Sequence, residues 1–156
     1  MTYVVHHFKT GTKQMHPNDD DGISPRGLLD LKIEQDMVRD FHYRFGILVN
    51  EVPTIPSEGV RYLRVGLIDE EVNKELIPAL RRRRLVDIAD ALGDSLYVLL
   101  GTAVSYGISM EPIFREIHLS NMSKGDPFPI IRPDGKILKA ANWRPPDILT
   151  ILRNQR

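Results

Sequence analysis

Two consecutive segments with helical periodicity, joined by four arginines, fix most of what this chain can become. In "GLIDEEVNKELIPALRRRRLVDIADALGD", Gly66 to Asp94, the first segment carries Asp69, Glu70, Glu71 and Glu75 and the second Asp87, Asp90 and Asp94. At about 100° per residue, Glu71 and Glu75 project within roughly 40° of each other, and the three aspartates share roughly a 60° arc. Ile88, Leu92, Leu96 and Leu99 gather on a separate apolar arc of the second helix. A turn as short as Arg81 to Arg84, itself read as solvated, makes the two helices antiparallel neighbours. Glu70, Glu71 and Glu75 then come opposite Asp87, Asp90 and Asp94.

The rest of the pattern is also helical. From Glu34, the residues Met37, Val38, Phe41 and Phe45 recur at helical spacing, and Gly46 offers a stop. Asn50 to Pro56 is a linker whose two prolines forbid continuation. Ser57 is expected to cap a second helix reaching about Leu80, with a buried stripe of Val60, Leu63, Leu67 and Ile68, and with Pro78 loosening its last turn. A third helix spans roughly Leu85 to Tyr106, closed by Gly107. Ser109 caps a fourth, with Pro112 tolerated in its first turn, ending near Lys124. "IIRPDGKIL" reads as a short hairpin around Pro133, Asp134 and Gly135, and "WRPPDILTILR" as one more short helix. The expected fold is all-α: a bundle of four to five helices with an irregular C-terminal arm. Its divisions are a weakly ordered segment over 1–27, a helical domain over 28–126 and the arm over 127–156.

Composition narrows the function classes. Lys plus Arg and Asp plus Glu stand at 21 each, a balance that argues against a broad electrostatic nucleic-acid binder. Cysteine is absent, which removes disulfides, thiol nucleophiles and cysteine-ligated zinc. The most apolar run, Ser95 to Val104, is too short for a membrane span, and Asp90 and Asp94 interrupt any longer one. "NDDDG" (Asn18 to Gly22) is no EF-hand, since Leu28 stands where the closing glutamate belongs. A soluble cytoplasmic domain, with no nucleic-acid or membrane partner, is the expectation.

Like charges stacked on one helix face repel, and a bound cation is their natural neutraliser. Oxygen-only ligands at this density suit Mg2+, or Mn2+, better than zinc or copper. Carboxylates holding such ions generate a nucleophilic water and offset charge on a transferring phosphoryl group. The plainer alternative is an acidic, solvated helical hairpin. Downstream, Asn121 and Lys124 lie one turn apart where the fourth helix stops. Simple helix capping accounts for that lysine alone; beside a carboxylate cage, a phosphate clamp is the better reading. Lys136 and Lys139 on the arm are candidates to close over the phosphates, against a plain solubilising role. Tyr97 and Trp143 are candidates to stack on a base, against ordinary packing. His42 and His118 read as structural.

The segments "DMVRDFHYRFG", "LIDEEVNKEL", "DIADALGDSLYVLLGTAVSYGI", "EIHLSNMSK" and "RPDGKILKAANWRPPDI" together resemble the all-α nucleoside triphosphate pyrophosphohydrolases, the superfamily of MazG-like and phosphoribosyl-ATP pyrophosphohydrolase-like proteins. The likeness runs from about Asp36 to Ile148. It implies two antiparallel helices carrying metal ligands, and Mg2+-dependent hydrolysis of a (d)NTP to (d)NMP and pyrophosphate, as in nucleotide-pool house-cleaning. The alternatives are phosphoribosyl-ATP as substrate, or a non-catalytic helical oligomer that binds nucleotide or metal. The family's first motif is an acidic pair with a glutamate three residues after its second member. Glu70 and Glu71 match the pair, Lys74 holds the later position, and the glutamate arrives at Glu75. The second motif, Glu-x-x-Asp before a Leu-Tyr-Val segment, places Asp94 at its aspartate and Ala91 at its glutamate, with Asp90 and Asp87 nearby. The resemblance implies Glu71, Glu75, Asp87, Asp90 and Asp94 around the metal, and Glu70 as a further ligand or the base that orients water. Asn121 and Lys124 match its phosphate contacts. The amphipathic helices and the resemblance both point to a homodimer or homotetramer.

Overall fold

The computed structural model describes residues 31–125 and 128–156, and over them the chain is all-α. The segment 1–27, including the loop at Asn18 to Gly22, and the division at residues 126 and 127 fall outside the described residues. Helix α1 (Leu31–Arg44) leads through an extended linker to α2 (Glu58–Ile68). A π-helical segment (Asp69–Leu76) follows without a break and runs into α3 (Ile77–Arg82). After the turn at Arg83 and Arg84 the chain reverses into α4 (Leu85–Tyr106), then α5 (Met110–Met122), a short 3-10 turn (Ser123–Gly125) and α6 (Ile148–Asn154).

Helix α4 is the centre. It packs on α1, α2, the π segment and α3, so the acidic pair of segments is antiparallel as the short turn requires. By length and composition alone α4 is apolar enough to cross a membrane; the expectation that no stretch reaches that length does not hold. Gly107 ends it in the left-handed region, at φ +66°, where an added Cβ would lie 2.2 Å from the Val52 carbonyl oxygen. Only glycine fits there. The four arginines divide: Arg81 and Arg82 are helical, and Arg83 takes the left-handed turn position at φ 62°.

Several side chains depart from the sequence expectations. Pro78 does not loosen a last turn. It stands in the first turn of α3, and the disturbance lies before it, in the wide turn over Asp69–Leu76. A proline ring presses on the carbonyl four residues earlier and has no N–H to give, and widening the preceding turn relieves both. The Ile77 N–H accordingly bonds the Val72 carbonyl, five residues back. Neither Ser57 nor Ser109 caps its helix through its side chain. Two glutamines do the work at α5: the Met110 N–H donates to Gln35 Oε1 and the Ser109 N–H to Gln155 Oε1, each at 2.9 Å. The hairpin forms around Gly135 with a single antiparallel bridge, Ile131 to Ile137, too short for strands.

The buried stripe of α2 contains Arg64, 5 % exposed, while Leu63 faces out. Arg64 and His42 sit where Gly101 lacks a side chain; an added Cβ would come within 3.1 Å of both. Arg64 Nη2 lies 3.2 Å from His42 Nε2, and His42 Nδ1 lies 3.0 Å from the Leu48 carbonyl oxygen. A carbonyl only accepts and a guanidinium only donates, so His42 is the neutral tautomer with its proton on Nδ1. Burial holds its pKa below the ordinary 6.5, with the Arg64 charge adding to that and the Leu48 bond opposing it. A group lowered in the folded state contributes stability above its unfolded pKa and loses it as pH falls. Thermal midpoints measured across pH should therefore drop in the window beneath 6.5, and His42→Gln, less stable at pH 7, should show a flatter profile through that window.

Candidate functional site

On the π segment, α3 and the first half of α4, Glu75, Ala79, Arg82, Asp87, Asp90, Ala91 and Asp94 line a cavity of about 210 Å³. Small residues make the room. Ala79 and Ala91 are buried at 3 % and 6 % exposure, so the two helices approach closely and their flanking carboxylates face a shared space. Ser95 Oγ donates to the Glu71 backbone carbonyl at 3.3 Å, which fixes the π segment against α4. Ala91 belongs to this packing.

Glu71 reports the electrostatics. Partial burial raises its carboxyl pKa above the ordinary 4.5, and the negative charges of Asp94, Glu70, Glu75 and Asp90 raise it further. Among the described residues, Glu71, Glu75, Asp90 and Asp94 have no lysine or arginine ion-pair partner. Asp87 is paired with Arg84 at 3.5 Å. Lys74 is turned out of the site onto Asp69, at 2.9 Å. As the side chains stand, no three acids or histidines among the described residues converge tightly enough to hold one ion. The donor set nevertheless fits a hard divalent cation: oxygen ligands only, negative in excess, with a carboxyl already strained towards protonation by its neighbours.

The remaining candidates lie elsewhere. Lys124 Nζ donates to Asn121 Oδ1 at 2.6 Å, at the end of α5, which packs on α1 and α6 rather than on the π segment. Neither Asn121 nor Lys124 lines the acidic cavity. Lys136 sits in the hairpin turn, its N–H on Asp134 Oδ1 at 3.2 Å. Lys139 Nζ stands 3.5 Å from the centre of the Trp143 ring, covering a face that a stacked base would need. Tyr97 packs edge-on against Phe41, with ring centres 5.7 Å apart, as part of an apolar surface. Arg82 is the lining residue that sequence reasoning missed, because the arginine run reads as a solvated turn; its place one helical turn past Pro78 and Ala79 was the available signal. A larger cavity of about 410 Å³ lies at the far end of α4, between Ile55, Tyr106 and Leu149, and its lining holds no carboxylate. The acidic cavity is the one lined by several carboxylates.

The charge strain at Glu71 is measurable. A carboxyl whose pKa is raised by folding adds stability below its unfolded pKa and loses it as pH rises through the folded value. Ionised Glu71 thus burdens the metal-free fold at neutral pH. In EDTA at pH 7, Glu71→Gln is expected to raise the thermal midpoint by about 2 °C, with the gain vanishing near pH 4; no gain at pH 7 would contradict the described electrostatics.

A family model described as phosphoribosyl-ATP pyrophosphohydrolase matches residues 38–121, more than half of the chain and the whole helical pair that carries the acids. No curated protein matches the chain. With its all-α fold, its paired acidic helices and that match, the chain belongs to the phosphoribosyl-ATP pyrophosphohydrolase family, within the MazG-like all-α superfamily, and is a hydrolase of a pyrophosphate bond.

Proposed function

We propose that this chain is a divalent-cation-dependent phosphoribosyl-ATP pyrophosphohydrolase, releasing pyrophosphate and leaving phosphoribosyl-AMP. The observation that carries the reading is the run of carboxylates around one cavity, of which Glu75, Asp90 and Asp94 have no lysine or arginine ion-pair partner among the described residues, on the two helices that the family model spans. The family's own substrate is favoured over a general (d)NTP because that match names it. Glu71, Glu75, Asp90 and Asp94 hold Mg2+, or Mn2+, with Asp87 at the rim between the site and Arg84. The ion supplies charge neutralisation for the transferring phosphoryl group and lowers the pKa of a bound water. Glu70, exposed beside Glu71, orients the attacking water as base. Asn121 and Lys124 grip phosphate oxygens as donors once their mutual hydrogen bond opens. The setting is cytoplasmic, where such nucleotides are found.

A pyrophosphate-release assay over phosphoribosyl-ATP, the common NTPs and the dNTPs, with Mg2+ and with EDTA, tests this. Phosphoribosyl-ATP is expected to be the preferred substrate, with all release abolished by EDTA. A preference for a dNTP would move the chain to house-cleaning, and no release from any substrate would leave a non-catalytic oligomer. Glu75→Ala and Asp90→Ala are each expected to lower kcat/KM by about 100-fold; unchanged turnover in both would overturn the ligand set.

Self-association belongs to the same proposal. The core of one chain is small, while Met37 and Phe41 of α1, Phe45 just past its end, and Leu92, Leu96 and Leu99 of α4 remain 40–64 % exposed. Contact between Phe41 and Tyr97 joins the two helices into one apolar surface, larger than a stable monomer ordinarily leaves in water. A second copy covers it, as a homodimer or a homotetramer built from such dimers. Light scattering should give a mass of two or four chains, and Leu96→Glu should shift it to one; a monomeric wild type would refute the assembly.

A further inference from the structure

The wide turn has an outside as well as an inside. Asp69 accepts from Asn73 Nδ2 and from Lys74 Nζ, both at 2.9 Å. The first contact spans four residues, as on any α-helix. The second spans five. On an α-helix, residues five apart point roughly 140° from each other and are not neighbours. A π-helix takes about one more residue per turn, so its chain turns by roughly 80° per residue and brings them onto one side. This ion pair depends on the wide turn.

The same geometry decides what faces the cavity. Relative to Glu71 on an α-helix, the residue three on lies roughly 60° to one side and the residue four on roughly 40° to the other. In the wide turn the residue four on moves to roughly 40° on the first side, and the residue three on swings roughly 120° away. Glu75 therefore takes the direction that position 74 has in an α-helix, and Lys74 is carried round to Asp69. Glu75 lines the cavity and Lys74 does not. Downstream, Ala79 is buried against α4, so the extra residue is absorbed before α3 begins.

We infer that the π segment is a one-residue insertion that places Glu75 instead of Lys74 in the carboxylate site, and that Asp69, Asn73 and Lys74 are positioning residues clasping it from outside. The inference rests on the metal-binding reading proposed above for its consequence, though not for its geometry. Deleting Lys74 together with Pro78→Ala should close the turn into an α-helix, with Glu75 three positions after Glu71 and α3 still in phase with α4. The thermal midpoint of the metal-free protein is then expected within about 5 °C of Pro78→Ala alone. Mn2+ affinity, read from the paramagnetic resonance of the free ion, is expected within about threefold of that variant. Deleting Val98 from α4 is the control: it rotates Leu100 and Val104 roughly 100° out of the core and should collapse the midpoint. A Lys74 deletion as damaging as the Val98 deletion overturns the insertion. Absence of Mn2+ binding by the wild-type chain removes the metal reading instead, and the unfolding comparison still decides the register. Asp69→Asn isolates the clasp: Mn2+ binding about tenfold weaker at unchanged helix content is expected, and unchanged affinity would strip Asp69 of a positioning role.

Discussion

Two helices that face each other with carboxylates repel, and the fold persists because Arg64 fills the space left by Gly101. That contact sits two turns from Glu71 along the same helix pair, and it draws in α1 through His42 and the linker through Leu48. A guanidinium without a carboxylate is an expensive occupant of a core. Its Nε has no hydrogen-bond partner among the described residues, and burial lowers its pKa. What offsets the cost is that a long side chain with several donors links three elements where a leucine would touch only neighbours. The acidic end is thus held by packing at the far end, together with the Ser95 contact to the Glu71 carbonyl. The excess negative charge at the acidic end is left over for a ligand to neutralise.

Much of the architecture was legible in the sequence because it rests on strong local signals. The period of the apolar residues located the helices, Gly107 marked an end that only glycine can form, and a turn of a few residues forced the antiparallel pair. Which face of each helix is buried was less legible. In α1, Gln35, Val38 and His42 are inside while Met37 and Phe41, with Phe45 just past its end, are outside; in α4, Ala91, Ser95, Ala103 and Ser105 are inside with Leu100, while Leu92, Leu96 and Leu99 are outside. Hydrophobicity counts only the side chain's affinity for water. Close packing around an arginine, a histidine and two alanines selects for size and hydrogen bonding, and a second apolar face competes for the same residues.

The candidate site shows the same division. The acidic arcs could be drawn from the helical period alone, and the comparison of Glu75 with Lys74 could be posed. It could not be answered at 3.6 residues per turn, because the answer is a change in that number. Pro78 was visible, and its effect was assigned to the wrong side: a proline acts on the carbonyl before it, so the disturbance belongs over Asp69–Leu76. At Ala91 the reasoning ran the other way. A carboxylate there would fall on the tight contact with α3, and the acids at Asp90 and Asp94 flank that contact while still facing the cavity.

The separation of Asn121 and Lys124 from the carboxylates bears on how such a site works. A carboxylate cage has a high affinity for cations and none for phosphate, and an unshielded cage repels a polyphosphate. Donors for the phosphate must therefore approach from a different element. Asn121 near the end of α5 and Lys124 in the turn after it, the donors proposed for that role, are paired with each other and do not line the acidic cavity. Arg82 is the one cationic side chain among the residues lining the acidic cavity, and among the described residues it forms no ion pair with Glu75, Asp90 or Asp94. On the proposed function, electrostatics would divide the labour: acids on one helix pair would collect the cation, and cationic side chains at its edge or on another element would receive the anion that the cation makes welcome.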